Sequence, residues 1–280
     1  MDIGLVLGGG GARGLAHIGA LHALGERGLR PKAIAGCSVG AVMGALTAAG
    51  RSADHMDEMA RSLRRRDLVD VGKHGAILGN ERIGKYLGAH LPATFEDLEI
   101  PLKVTAVDCQ EGQVVVLGSG PLIPAVLASA AIPGLLSPVF HEERVFLDGG
   151  VLNNLPVDVI RAMTTLPVVA VDVAVPPNRK LNFKDTLSLK ERLSSAFRGS
   201  PSLLTIELFL KAFDVPQRLI TQSSLALHPP DVLVRPDLDP DFRREDFQRA
   251  EEGIEAGYRS TLSALDRAGW ASPEAGPPGG

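Results

Sequence analysis

The pentapeptide Gly36-Cys37-Ser38-Val39-Gly40 sets a serine between two glycines, each two residues away. That spacing suits a strand-to-helix turn sharp enough to strain the serine backbone. Glycine on both flanks removes the Cβ atoms that would strike the neighbouring strand and helix. A serine held in this way stands at the carboxyl end of a sheet with a helix N-terminus beneath it, and the helix end favours developing negative charge. The chemistry is nucleophilic attack on an acyl carbon. The competing reading is a structural turn with an idle serine. Context favours the nucleophile, because an apolar run (Ala33 to Gly36) precedes it and a small-residue helix (Gly40 to Ala49) follows.

Gly8 to Gly14 reads GGGGARG, and Gly9, Gly11 and Gly14 fit G-x-G-x-x-G. After a strand, such a loop commonly cradles a dinucleotide or phosphate. A dinucleotide fold then needs an acid at the end of its second strand, about twenty residues on, to hold the ribose. The chain offers Pro31-Lys32-Ala33-Ile34-Ala35-Gly36 there, leading into the serine turn and no acid. The second use of such a loop is an oxyanion hole, whose consecutive N–H groups point at an acyl oxygen. Asp148-Gly149-Gly150 ends a short apolar strand. Its carboxylate is either free to approach another backbone or makes an Asx-type turn bond. A serine triad would need a histidine. The only one after Asp148 is His228, in the connection LALHPPD; His17 and His22 fall on the first helix as packing or exposed residues, and His55, His74, His90 and His141 have no motif around them. A triad is poorly supported, which leaves a Ser38–Asp148 pair. No ligand cluster is visible, so neither metal nor cofactor is expected.

These residues need a scaffold that alternates strands and helices. Ile3 to Leu7 reads as a buried parallel strand, 15–27 as a helix stopped by Gly28, and 53–66 and 81–91 as further helices. Leu102 to Val107 and Gln113 to Leu117 flank a Glu111-Gly112 turn and read as a hairpin. Ala125 to Ala131 and Val157 to Met163 read as helices, Val145 to Leu147 and Val168 to Val175 as strands. The alternation predicts an α/β fold, a three-layer α/β/α sandwich with a mostly parallel central sheet and the site at the carboxyl ends of its strands. Residues 1–176 form the expected catalytic core and 177–271 a helical C-terminal extension packed on it. Within that extension Asp231 to Arg235 could add a late strand, and 245–268 is a long amphipathic helix carrying Phe247, Ile254, Tyr258, Leu262 and Leu265 on one side. The apolar helices of 178–228, broken at Gly199-Ser200-Pro201, suit either a mobile lid or packing over the sheet. The tail 272–280 is expected to be disordered.

The 280 residues suffice for one large α/β domain. With 45% hydrophobic and 22% charged residues, composition is that of a globular protein. Aromatics at 4% and a net charge of −4 argue against a nucleic-acid partner. Cys37 and Cys109 sit in no metal spacing and read as buried, reduced thiols. The start lacks a basic n-region and a signal-length apolar stretch, and no apolar run approaches ~18 residues. A cytoplasmic protein is expected, with peripheral membrane contact possible and a homo-oligomer open.

The glycine-rich Gly9 to Gly14, the elbow Gly36 to Gly40, the Asp148-Gly149-Gly150 turn, Ala128-Ser129 with Pro133, and Asn153-Asn154-Leu155-Pro156 together resemble the patatin-like phospholipase family over residues 3–175. The chain looks most like the small bacterial-type, single-domain members. The resemblance implies a Ser–Asp dyad without histidine, with Ser38 as nucleophile and Asp148 taking its proton, and hydrolysis of carboxylic esters of lipids. By position it implies oxyanion N–H groups from Gly10, Gly11 and Ala12. Arg13 matches the family's basic loop residue, with three roles open: orienting the loop, meeting a phosphate head group, or a structural salt bridge. Cys37 stands where the family more usually has threonine or another small residue. No loss of activity is expected from it, but sensitivity to thiol reagents is. Lipid or another acyl ester is the expected substrate. The alternatives are a carboxylesterase or thioesterase acting on small acyl groups, a silent lipid-binding regulator and, more distantly, a nucleotide-binding protein.

Overall fold

The computed structural model describes residues 1–63, 79–141, 143–174 and 203–270. The end of the predicted 53–66 helix, the end of the 168–175 strand, residues 178–202 of the lid candidate and the tail 272–280 lie outside the described residues.

Among the described residues eight strands make one sheet: β1 (Asp2–Leu7), β2 (Arg30–Cys37), β3 (Leu102–Asp108), β4 (Gln113–Leu117), β5 (Val139–His141), β6 (Arg144–Asp148), β7 (Val168–Val171) and β8 (Val232–Val234). β1 pairs in parallel with β2 and β7, β2 with β3, and β7 with β8. The β3–β4, β3–β6 and β5–β6 pairs are antiparallel. The helices are α1 (Ala16–Glu26), α2 (Val39–Ala48), α3 (Ala53–Ser62), α4 (Glu81–Gly88), α5 (Leu122–Ser129), α6 (Val157–Met163), α7 (Leu203–Leu227) and α8 (Ala250–Arg267).

Strand side chains alternate between faces, and β1 shows how this builds the layers. Ile3, Leu5 and Leu7 join the core shared with α1, α2 and α8. Val6 points the other way, into a second core with Ala33, Ala35 and the α6 residues Val157, Val159 and Ile160. Helices on both faces of a mixed, mostly parallel sheet give the expected α/β/α sandwich. α1 and α8 pack at backbone contact: a side chain at Gly19 would run into the Ile254 carbonyl, and one at Gly257 into the Ala16 carbonyl.

Three local readings change. Gly11–Leu15 is a turn of 3-10 helix rather than open loop. β5 was not expected, because a short strand with two exposed residues carries little periodic signal; its Val139 packs against the small core of Ala106, Ala128 and Phe146. Phe247 is 43% exposed, because a 3-10 turn (Phe247–Arg249) precedes α8 and shifts it off the face that buries Ile254 and Leu265. The described part of the segment after residue 176, 203–270, is woven into the fold: β8 extends the sheet beside β7, and α8 covers α1. Among the described residues no helix is long and apolar enough to cross a membrane.

Candidate active site

The register of β3 brings the two candidate residues together. β4 lies along residues 104–108 of β3, so β2 (against 102–105) and β6 (against 106–108) share its other edge. Their ends meet head-on: Cys37 lies opposite Thr105, and Asp148 opposite Ala106. Ser38 follows Cys37 directly, so serine and carboxylate arrive at one point from opposite directions.

Ser38 has φ 55° and ψ −125°, the strained backbone that the elbow motif demands. The strain is enforced by packing. A Cβ at Gly36 would sit 2.6 Å from the Gly40 carbonyl oxygen, and one at Gly40 would strike the Leu7 carbonyl, so α2 can begin on top of β1 and β2 only with glycine at both places. The Ser38 amide donates to Ser129 Oγ at 2.9 Å, and Ser129 is fully buried. Ser129 was flagged by the sequence only as part of a longer match; the structure shows it holding the elbow from α5.

Asp148 is 2% exposed. Its Oδ1 accepts from the Gly150 amide at 2.7 Å and lies 3.8 Å from Cys37 Sγ. Burial pushes its pKa from the ordinary 3.8 up to about 6. The nearby Ser38 side chain, the Gly150 amide, the Arg244 charge and Cys37 pull in the opposite direction. Burial, with Asp148 beside it, raises the Cys37 thiol well above its usual range. Cys37 is also fully buried, so thiol reagents do not reach it and the expected sensitivity is withdrawn. Cys109, read from the sequence as buried, is exposed.

The glycine-rich loop is pinned from several sides. The Gly8 amide donates to Val171 O, and the Gly9 amide to Asn154 O at 3.1 Å. Asn154 Nδ2 returns a bond to Gly9 O at 3.1 Å. His17, fully buried with its pKa lowered to about 4 by burial, is neutral and bonds Gly8 O through Nε2 at 2.8 Å. It packs, as expected, and also positions the loop. Arg13 is 4% exposed, and its Nε donates to Val173 O at 3.0 Å. That bond favours the loop-orienting role. Ala12 does not fit its expected role, because its amide already donates to Arg244 O at 2.7 Å. The amides of Gly10 and Gly11 have no acceptor among the described residues. The place where a Gly9 Cβ would sit is 3.0 Å from Ser38 Cβ, so the loop lies directly against the serine. Gly14 packs on Val39, the first residue of α2.

Residues after 203 complete the surroundings, and sequence reasoning assigned them nothing. Gln217 of α7, 3% exposed, donates to Gly150 O at 3.0 Å. The Arg244 guanidinium pairs with Asp214 and donates to Gln217 Oε1 at 3.3 Å. Through Asp214 and Gln217 the described part of the lid candidate is tied to Arg244 and to the Gly150 turn. His228 is exposed at the end of α7, in an outer groove with Val114, Leu152 and Leu227. Among the described residues no group of His, Cys, Asp and Glu could hold a metal ion.

The family model for patatin-like phospholipases matches residues 5–161. The chain belongs to the patatin-like phospholipase family. An uncharacterised NTE family protein of Mycobacterium bovis is 37% identical over 176 residues, 61% of this patatin-like chain and 49% of that protein. Lysophospholipase NTE1 of Coccidioides immitis is 30% identical over 281 residues, covering 95% of the chain and 18% of that protein. The chain thus spans half or less of the length of these relatives. Among solved structures, VipD from Legionella pneumophila superposes with a TM-score of 0.60 at 15% identity, over 95% of this chain and 67% of that one, and so shares its fold.

Proposed function

We propose that this patatin-like protein is a serine acyl hydrolase that cleaves carboxylic esters of lipids through a Ser38–Asp148 dyad and an acyl-enzyme. The observation that carries the reading is the placement of Ser38, on a strained elbow at the end of β2, against the end of β6, where a buried carboxylate has its pKa raised to about 6 and feels the Ser38 side chain. The raised value makes Asp148 roughly a hundredfold stronger as a base than an ordinary aspartate, yet about nine-tenths ionised at pH 7. In the proposed cycle Ser38 Oγ attacks the ester carbonyl carbon while its proton passes to Asp148. The N–H groups of Gly10 and Gly11 receive the developing oxyanion. The intermediate then collapses, the alcohol leaves with the proton from Asp148, and Ser38 remains acylated. Water attacks the acyl carbon and gives a proton to Asp148. The second intermediate releases the fatty acid, and the proton returns to Ser38 Oγ.

The lipid half of the reading draws support from family membership and from relatives named lysophospholipase. Such a substrate is met at a membrane or micelle surface, so peripheral contact belongs to the proposal. The test is labelling with a fluorophosphonate probe and peptide mapping, on wild type and on the Ser38→Ala and Asp148→Asn variants. Labelling at Ser38 in wild type only, with all three proteins folded, is the expected result, and turnover of lysophospholipid above short esters then fixes the substrate class. A folded wild type that stays unlabelled even in detergent sinks the hydrolase reading.

A further inference from the structure

We infer that Asn154 is the positioning residue that sets the oxyanion amide of Gly10, an assignment that rests on the dyad reading above. Asn154 is 2% exposed and holds both polar groups of Gly9: its main-chain oxygen accepts from the Gly9 amide at 3.1 Å, and its side-chain Nδ2 donates to Gly9 O at 3.1 Å. The second bond acts on the next residue. Gly9 C=O and Gly10 N–H belong to one rigid trans peptide and point in opposite directions. Drawing the carbonyl toward Asn154 therefore turns the Gly10 N–H away from it. Residues 9 and 10 are both glycine and have no side chains to fix this plane themselves. A donor from outside the loop must do so.

Two further features mark Asn154 as serving the loop. Its Oδ1 is buried with no hydrogen-bond partner among the described residues, and it fills the space that a Cβ at Gly9 or Gly150 would need. An amide kept for its own stability would satisfy that acceptor; here the orientation that feeds Gly9 O leaves it orphaned. Reversing the amide would set two acceptors, Oδ1 and Gly9 O, against each other, so the donor side is fixed. Asn154 also sits where it can couple loop to carboxylate. The point that a Gly150 Cβ would occupy lies 2.9 Å from Asn154 Oδ1 and 2.9 Å from Asp148 Oδ1, while Gly9 packs on Ser38. One side chain thus lies between the loop that packs on the nucleophile and the turn that bears the base.

Removing a true oxyanion donor costs roughly 100- to 1,000-fold in kcat. A donor left in place but no longer aimed should cost part of that, about 10- to 100-fold. The experiment compares wild type with Asn154→Asp, which keeps the shape and has no donor when ionised, and Asn154→Ala. Each is assayed for kcat and KM on a lysophospholipid and for inhibition by a trifluoromethyl ketone bearing the same acyl chain, whose adduct with Ser38 carries the oxyanion. The unreactive methylene analogue reports ground-state binding. The expected result is a kcat fall of about 10- to 100-fold with KM within about threefold. Affinity for the trifluoromethyl ketone should fall in step and affinity for the methylene analogue should hold. In wild type the Gly10 amide proton should move downfield in the NMR spectrum when the adduct forms. An unmoved Gly10 amide overturns the assignment without need of a variant. So does a folded Asn154→Ala with near-normal kcat, or equal weakening of both ligands. A wild type that forms no adduct at Ser38 and takes no fluorophosphonate label overturns the dyad reading itself, and the role of Asn154 with it.

Discussion

Replacing Asp148 with asparagine separates what the carboxylate does for catalysis from what it costs the fold. The side chain is 2% exposed, and burial carries its pKa from 3.8 to about 6. A folded value above the unfolded one means that the native state holds the proton more tightly. The group's contribution to stability is therefore complete below pH 3.8 and is lost as pH rises through about 6. At pH 7 the ionised carboxylate puts the native state at a disadvantage of roughly two pKa units, ~3 kcal/mol at ~1.4 kcal/mol per unit. Asparagine has nearly the same volume, keeps an oxygen for the Gly150 amide and carries no charge. Urea denaturation at pH 7 should show Asp148→Asn more stable than wild type by about 1–3 kcal/mol, the lower bound allowing for weaker hydrogen bonds to a neutral acceptor. The gap should close between pH 6 and pH 4, while fluorophosphonate labelling is lost at every pH. His17, with its pKa lowered to about 4, destabilises both proteins as pH falls from 6.5, so it cancels in the comparison. Equal stability at pH 7, or a gap that persists on acidification, refutes the reasoning.

Two further outcomes follow from the same geometry. With Asp148 as the base, kcat/KM should fall tenfold per unit below an apparent pKa near 6 and level off above it; an acid limb near 4 would mean that the active carboxylate is not this buried one. Ser129→Ala removes the acceptor of the strained Ser38 amide, so urea denaturation should show a loss of about 1–3 kcal/mol, and fluorophosphonate labelling should slow; an unchanged midpoint would deny the clamp.

What could be read from the sequence was whatever local sterics dictate. The elbow was legible because Gly36 and Gly40 are demanded by backbone approaches within a single strand-turn-helix unit. Ile3 to Leu7 was legible because a strand buried on both faces is apolar throughout. Asp148 came from its motif, since an isolated aspartate before two glycines is as easily a turn residue; its partnership with Ser38 exists only through the register of β3. Ala12 was misassigned because its amide is taken by Arg244, a contact between opposite ends of the chain that no local pattern records. Gln217 and Arg244 were silent for the same reason, and Ser129 stood out only within a longer match, with no role attached. Each acts through a tertiary bond to a backbone group, and a backbone group leaves no mark on residue type.

The bond between the Ala12 amide and the Arg244 carbonyl has a consequence in time. During synthesis the glycine loop, the elbow and the Asp148 turn all emerge before Arg244, and before α8, which covers α1. A nascent chain therefore carries every reactive group well before it carries the segment that secures the loop. Domains fold as units, and α8 shares the core of β1, so the loop is secured only once the later segment has joined that core. On the proposed reading the Ser38–Asp148 pair gains its secured loop only when the segment that bears Arg244 docks.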